Sequence, residues 1–315
     1  MRQPVLATPE QISALVRAVD PRWRVVRTWP LAGAVAAQVS GIEVEEPGGR
    51  LRQLVLHQYG AANLRSDPLA ARTEYRLLEL LSARGLPVPR PWLADETGAL
   101  GPGPCLLQDF IDGARVDDPP DVADYTGQLA ATLARVHDAG IARADVPFLP
   151  DVRTDVPRRL ERPPPARDPF PGVSAVRAAL AASWPPPPVN QPVVLHGDYW
   201  PGNVLWRAGR LAGVIDWEDA AFGDPLADLA ISRLEIGWAH GAAVMETLTS
   251  QYLTLRPGLD VSTMPMWDLH AALRASTFDI STWGLPAPRL AAARGAFAEF
   301  AASALRQLTP AEASP

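Results

Sequence analysis

Two short blocks of the sequence carry oxygen-bearing side chains at spacings that suit metal-assisted chemistry. The first is Leu195-His196-Gly197-Asp198-Tyr199-Trp200-Pro201-Gly202-Asn203-Val204-Leu205-Trp206. The second is Val214-Ile215-Asp216-Trp217-Glu218, followed by Phe222-Gly223-Asp224-Pro225 and then Asp228. Their apolar and polar runs read as strand, polar loop, strand, turn, strand and acidic loop. The loop sets Asp198 and Asn203 five positions apart, and the hairpin after it can bring Asp216 beside them. A carboxylate and an amide oxygen meeting at one point suit a hard divalent cation. A further carboxylate beside that cation can take a proton from a hydroxyl. Metal ions on phosphates, with a base that orients the attacking oxygen, are the parts phosphoryl transfer needs. Taken singly, Asp198 and Asn203 also read as turn caps and Asp216 as a strand end. Only their joint spacing points to chemistry.

With those residues in view, the two blocks resemble the catalytic core of the aminoglycoside phosphotransferase family, relatives of the protein kinases. The family's pattern is His-Gly-Asp, four residues, Asn, and later Ile-Asp; His196, Gly197, Asp198, Asn203, Ile215 and Asp216 match it. The resemblance implies that Asp198 is the catalytic base and that Asn203 and Asp216 hold Mg²⁺. It implies ATP or GTP as phosphate donor, a small-molecule hydroxyl as acceptor, and a supporting role for His196. In the first part of the chain it implies a turn over the phosphates, a strand-borne cation and a helix-borne Glu. Gly33 marks the turn, and Glu74 sits where the family's helix carries its Glu. The cation slot falls in Leu54-Val55-Leu56-His57, where the family has Lys or Arg and this chain has His57. A neighbouring Glu can raise the pKa of an imidazole and keep it charged; Arg52 or Arg65 is the alternative cation. Leu106 to Ile111 resembles the strand linking the two lobes, and the Asp109 carbonyl and Ile111 amide are the expected purine contacts. The acceptor is expected against the helices after Pro225, with Glu235, Asp268 and Trp283 among the residues lining it.

Around these blocks, Asp224 before Pro225 reads as a helix cap. Asp228 falls in the first turn of that helix, where it suits the helix dipole and can hold the catalytic loop. Glu218 is read as close to the metal. His137 reads as structural, Trp200, Trp206 and Trp217 as packing, and Cys105 as an inert buried thiol.

The elements that must position these residues follow from pattern. Gln11 to Val19 reads as a short helix, and Trp23 to Trp29, Val35 to Val44 and Leu51 to Gln58 as a β-meander. Pro68 to Arg84 has helical spacing, with a stripe of Leu77, Leu78, Leu80 and Leu81. Pro87 to Pro91 reads as an extended link, and Cys105 to Ile111 as a strand. Val122 to Ala139 is helical. Residues 142–192 read as largely irregular because of their prolines, with a helix over Val173 to Ser183. Short strands follow at Val193 to Leu195, Val204 to Trp206 and Ala212 to Ile215. From Pro225 onward the pattern is helical, broken at Pro257-Gly258 and near Gly284. The expected architecture is α/β (α+β), a two-lobe protein-kinase-like fold. Residues 1–108 form an N-terminal antiparallel β lobe that binds nucleotide. Residues 109–315 form a mostly helical C-terminal lobe with the catalytic loop, metal site and acceptor site.

Composition narrows the function. Hydrophobic residues make up 47% of the 315 and charged residues 20%, which places the chain among globular proteins rather than disordered ones. A single cysteine excludes an intramolecular disulfide. No apolar run is long enough to span a membrane, and Pro4, Glu10 and Gln11 interrupt any secretory signal, so a cytoplasmic protein is expected. All 29 basic residues are Arg, which excludes lysine chemistry such as Schiff bases. Residues 196–315 hold 13 acids against 8 arginines, a balance that argues against a nucleic-acid partner and suits a metal or cationic ligand. Two other readings stand beside the kinase. A nucleotide-binding module without turnover is favoured by His57, and a hydrolase would use the same acidic cluster on water.

Overall fold

The structure of the protein is a computed structural model that describes residues 6–31, 38–162, 170–277 and 286–308. Gly33 and Trp283 lie outside the described residues, as do the expected turn after Leu31 and the helix break near Gly284. The chain divides into two compact units, residues 1–114 with 205–218, and residues 115–204 with 219–315. A single cut at 108 therefore differs from the observed division, which runs six residues further and returns the segment carrying Asp216 to the first unit.

In the first unit, α1 (Pro9–Val19) starts at Thr8, whose hydroxyl accepts from the Gln11 amide while the Gln11 side chain accepts from the Thr8 amide. This reciprocal cap satisfies donors that a helix start leaves open. A five-stranded sheet follows in the order β1-β2-β3-β5-β4, from β1 (Arg24–Pro30), β2 (Gln38–Glu45), β3 (Leu51–Gln58), β4 (Pro91–Asp95) and β5 (Cys105–Asp109). All its neighbours are antiparallel. Leu54 and Leu56 of β3 pack with Ile12, Leu15, Val16, Ile42, Val44 and Leu107 in one buried cluster. Strand residues alternate in direction, so His57 turns to the other face. A short helix α2 (Ala61–Ser66), absent from the sequence reading, leads to α3 (Ala70–Ala83). On α3 the buried positions Glu74, Leu77, Leu78 and Leu81 share one helical stripe. Glu74 is thus an acid placed in an apolar row, and that row packs against β4 and β5.

The returning segment supplies most of β7 (Val204–Arg207) and all of β8 (Arg210–Val214), paired as a hairpin. Trp206 and Ala114 exchange backbone hydrogen bonds of 2.8 and 2.9 Å, and the Val214 amide donates to the Pro87 carbonyl at 2.7 Å. Ile111 packs against Gly213 so closely that a side chain at 213 would collide with it. These ties explain why the hairpin belongs to the first unit.

The second unit is helical. It contains α4 (Val122–His137), α5 (Asp155–Leu160) and α6 (Val173–Ser183). After them come α7 (Leu226–His240), α8 (Ala242–Leu255), α9 (Met264–Ala275) and α10 (Ala287–Leu308). Two short strands, β6 (Val193–Leu195) and β9 (Ala221–Gly223), pair antiparallel. Helix α7 is buried along most of its length and packs on α8, α9 and α10. Two boundaries differ from the sequence pattern. α5 forms inside the proline-rich stretch, because Pro157 falls in its first turn, where no internal N–H is needed. α7 and α8 are separated at Gly241, whose φ of 92° ends the run. None of the helices among the described residues is long and apolar enough to cross a membrane.

Candidate active site

The second unit holds the His-Gly-Asp loop by its backbone. Asp228, fully buried in the first turn of α7, accepts from the His196 amide at 2.7 Å and the Gly197 amide at 2.8 Å. His137 Nε2 stands 3.2 Å from the same carboxylate, and its Nδ1 stands 2.6 Å from the Tyr252 hydroxyl. Burial works against the charge on Asp228; the His137 ring and the loop amides overcome it and hold the carboxyl below its ordinary value. Asp228 therefore anchors the loop, and His137 is a buried partner of that anchor. Asp224 accepts from the Leu226 amide at 2.9 Å, which closes the start of α7 as its sequence context suggests.

Gly197 has φ +79° and lies against the Asp219 carbonyl, so any side chain there would collide with backbone. This is the physical reason for glycine between His196 and Asp198. The next residue is held from several sides. The Asp198 amide donates to His196 Nδ1 at 3.2 Å, and Asn203 Nδ2 donates at 3.0 Å to both the Asp198 carbonyl and its Oδ2. Arg274 Nη2 of α9 lies 2.8 Å from Asp198 Oδ1 and 2.7 Å from Asp219 Oδ2. Burial would lower the charge on Arg274, yet Asp219 and Asp198 raise its pKa well above the usual arginine value. Behind it, Asp155 of α5 accepts from Arg159 Nε at 2.5 Å and lies 3.0 Å from His270 Nε2.

The expected acceptor residues separate. Glu235 of α7 accepts from Trp238 Nε1 at 2.7 Å, and burial pushes its carboxyl up to about 7, with Asp198 adding to the rise. Asp268, by contrast, is buried with Arg233, whose Nε is 3.2 Å from its Oδ1, while Arg233 also donates to Thr249. Its carboxylate is engaged inside the packing of α7, α8 and α9, so the sequence assignment to the acceptor does not fit its surroundings.

In the first unit, His57 Nδ1 lies 3.6 Å from Glu74 Oε2, and the Tyr59 hydroxyl donates to that oxygen at 2.7 Å. All three side chains are buried. Burial alone would lower the His57 pKa; Glu74 reverses this and pushes it up to about 9. Glu74 is held below its ordinary value, because His57 and Tyr59 outweigh its burial. The structure thus brings together the two residues assigned to the cation slot and its helix partner. Of the two alternative cations, Arg52 is paired with Glu46 and Asp109. The Asp109 carboxylate also accepts from Trp92 Nε1 at 2.7 Å, and its amide donates to the Arg90 carbonyl, so both groups serve the end of the sheet.

Asp216 belongs to the first unit. It is exposed and has φ +68°, a left-handed conformation rare for a residue with a Cβ. Such outliers persist where their surroundings impose them and gather at functional sites. Trp217 beside it is buried, with its indole donating to the Val214 carbonyl at 3.1 Å, and Glu218 accepts from Asn63 Nδ2 at 2.5 Å. Glu218 is therefore tied to α2.

For magnesium the test is the chemistry of the donors. Both hydrogen bonds of the Asn203 amide leave from its nitrogen, so Oδ1 is the atom that would face a cation. Asp216 offers an exposed carboxylate. Both are hard oxygen donors of the kind magnesium takes alongside phosphate oxygens, so the residues fit. Among the described residues no group of three His, Cys, Asp or Glu side chains forms a metal site.

Tyr59, Asp219, Arg159 and above all Arg274 are not marked by any motif. Arg274 stands 76 positions from Asp198, and only the packing of α9 brings it there. Comparison with known proteins shows the family. Residues 42–261 match the model of the phosphotransferase enzyme family. The chain belongs to that family. Homoserine kinase of Methylocella silvestris is 29% identical to it over 227 residues, 66% of this chain and 68% of that one. Viomycin phosphotransferase of Streptomyces vinaceus is 31% identical over 241 residues, 69% and 78% of the two chains. Among solved structures, the GDP complex of aminoglycoside 2'-phosphotransferase-IIIa superposes with a TM-score of 0.63 at 16% identity, covering 94% of this chain and 99% of that one. The fold is that of the protein-kinase-like phosphotransferases, and the family's small-molecule kinases are this chain's relatives.

Proposed function

We propose that the protein transfers the γ-phosphate of ATP or GTP to a hydroxyl of a small molecule. The observation that carries this reading is the fixed Asp198 carboxylate, on a loop locked by Asp228, within a chain of the phosphotransferase family. Asp198 orients the acceptor hydroxyl and takes its proton. The acceptor oxygen forms a bond to the γ-phosphorus as the bond to the β-phosphate oxygen breaks, and the nucleoside diphosphate leaves. Asn203 Oδ1 and the Asp216 carboxylate are the residues that would hold magnesium. The metal would supply counter-charge to the phosphates. The His57 imidazolium, kept charged by Glu74, stands in for the family's Lys or Arg as a cation for the phosphates. That charge weakens one of the two grounds for a binding module without turnover, His57 in the cation slot, and leaves the other, the absence of Lys. The Asp109 and Ile111 backbones are assigned to the purine, and Glu235 to the acceptor.

Two named relatives act on molecules that carry both hydroxyl and amino groups, homoserine and viomycin, and a half-buried acid such as Glu235 suits an amine. The test is phosphate transfer from Mg·ATP and Mg·GTP to L-homoserine, viomycin and a panel of other hydroxylated amines, read by mass spectrometry of the acceptor. Wild-type protein should phosphorylate a member of the panel and Asp198→Asn should not. Equal turnover by Asp198→Asn would remove Asp198 from the role of base, and nucleotide binding without transfer would favour the binding module.

A further inference from the structure

We infer that Arg274 is a positioning residue for Asp198, an arginine that fixes the base from a helix the catalytic motifs do not include. The inference rests on Asp198 being the base. The two carboxylate oxygens of Asp198 are held by different elements. Oδ2 accepts from Asn203 Nδ2 at 3.0 Å, within the loop itself. Oδ1 faces Arg274 Nη2 at 2.8 Å, across from α9. With both oxygens engaged, rotation of the carboxylate about its Cβ–Cγ bond breaks one contact or the other. The plane that meets the acceptor hydroxyl is therefore set before the acceptor arrives.

The arginine is itself fixed. Its side chain is buried, and the same Nη2 donates to Asp219 Oδ2 at 2.7 Å. The Asp219 carbonyl is the group packed against Gly197, so the arginine and the glycine turn meet the same residue. α9 is buried along almost its whole length, which denies the guanidinium room to swing. The motif loop 196–203 holds no arginine, and the chain has no lysine. Arg274 is the described cation in contact with Asp198. A planar fork with fixed donor directions suits such a clamp better than the point charge of an ammonium would.

The measurement is steady-state kinetics of Arg274→Ala and Arg274→Lys with Mg·ATP and whichever of L-homoserine and viomycin the wild-type protein phosphorylates. Rates are scaled to folded protein by circular dichroism. A misplaced reacting group costs about 100-fold in rate. Arg274→Ala should therefore lower kcat by about 100-fold while the acceptor KM changes less than about threefold. Arg274→Lys should recover part of the loss, and guanidinium ion added to Arg274→Ala should recover part as well. A purely structural arginine would lower the melting temperature and leave kcat per folded molecule intact, and that result overturns the inference. A rise in acceptor KM at unchanged kcat overturns it too, since Arg274 would then be holding the acceptor. A second readout does not need turnover or a folded Arg274→Ala. In ¹⁵N-arginine spectra of the wild-type protein, the Arg274 Nη2 signal should be distinct and slow to exchange, and it should move in Asp198→Asn. An averaged signal, or one indifferent to Asp198→Asn, refutes the clamp. Should the wild type phosphorylate neither acceptor, the kinase reading fails on its own evidence and the spectra still decide the clamp.

Discussion

The charge on His57 depends chiefly on one neighbour, Glu74, and removing that neighbour's charge should be measurable on the histidine itself. In wild type the imidazole is buried with Glu74 Oε2 3.6 Å from Nδ1, and its pKa is pushed from 6.5 up to about 9. A rise of that size corresponds to about 3 kcal/mol of preference for the charged form. Glu74→Gln keeps the size of the side chain and removes the charge. Burial is then opposed only by the smaller contributions of Glu218 and Asp216, and the His57 pKa should fall well below 9. The protein has five histidines, so an NMR titration of the imidazole signals between pH 5 and 10, with His57→Gln for assignment, resolves the one that moves. Stability follows the same sign. The folded-state pKa is raised above the unfolded value, so the pair's contribution is fully present below pH 6.5 and is lost as pH rises through 9. The difference in denaturation midpoint between wild type and Glu74→Gln should therefore shrink steadily over that window. Nucleotide affinity should weaken over the same range if the imidazolium meets phosphate. A wild-type His57 that titrates at or below 6.5 would refute the reasoning, and so would a stability difference that stays constant from pH 6 to 10.

Other outcomes follow from the second unit. Asp228→Ala leaves two loop amides and His137 without their acceptor; leaving buried donors unsatisfied costs about 1–3 kcal/mol, which thermal unfolding should show together with lost phosphate transfer. Gly197→Ala sets a Cβ against the Asp219 carbonyl at φ +79°; strain of about 1–3 kcal/mol and near-complete loss of transfer are expected, and a fully active variant would contradict the described turn. Glu235 has a folded-state pKa raised to about 7, so the wild type loses stability as pH rises from its ordinary 4.5 through 7. Glu235→Gln should therefore raise the unfolding temperature at pH 8 and change it little at pH 4.5. Asp216→Asn should abolish magnesium-dependent transfer while leaving the unfolding temperature nearly unchanged, because the side chain is exposed.

The parts of the site that sit on consecutive residues were legible in the sequence. His196, Gly197, Asp198 and Asn203 lie on one loop, and their spacing alone suggested oxygen-ligand chemistry. The strands were legible too, because the alternation in Leu54-Val55-Leu56-His57 already places His57 opposite its core-facing neighbours. The pairing of His57 with Glu74 followed from family resemblance, and burial gave it its strength. Arg274, Asp219 and Arg159 were not legible, since an arginine on a helix has no local pattern that tells a clamp from a surface charge. Asp268 shows the converse. Its type and place suggested a ligand, but Arg233, two helices away in sequence, had already engaged it. The short helix α5 was hidden by its proline, and the boundary at 108 by the return of residues 205–218 to a unit the chain had left at Ala114.

That return bears on how the protein can be dissected and how it is made. A ribosome releases the five-stranded sheet long before the β7–β8 hairpin that completes its surroundings, so the first unit is unfinished until about residue 218 has emerged. A truncation at residue 114 would expose Ile111, Ala114 and the Pro87 carbonyl, which the hairpin covers. Expressing this unit alone calls for a spliced gene that joins 205–218 to the earlier segment through a linker, and cutting the chain once will not yield it.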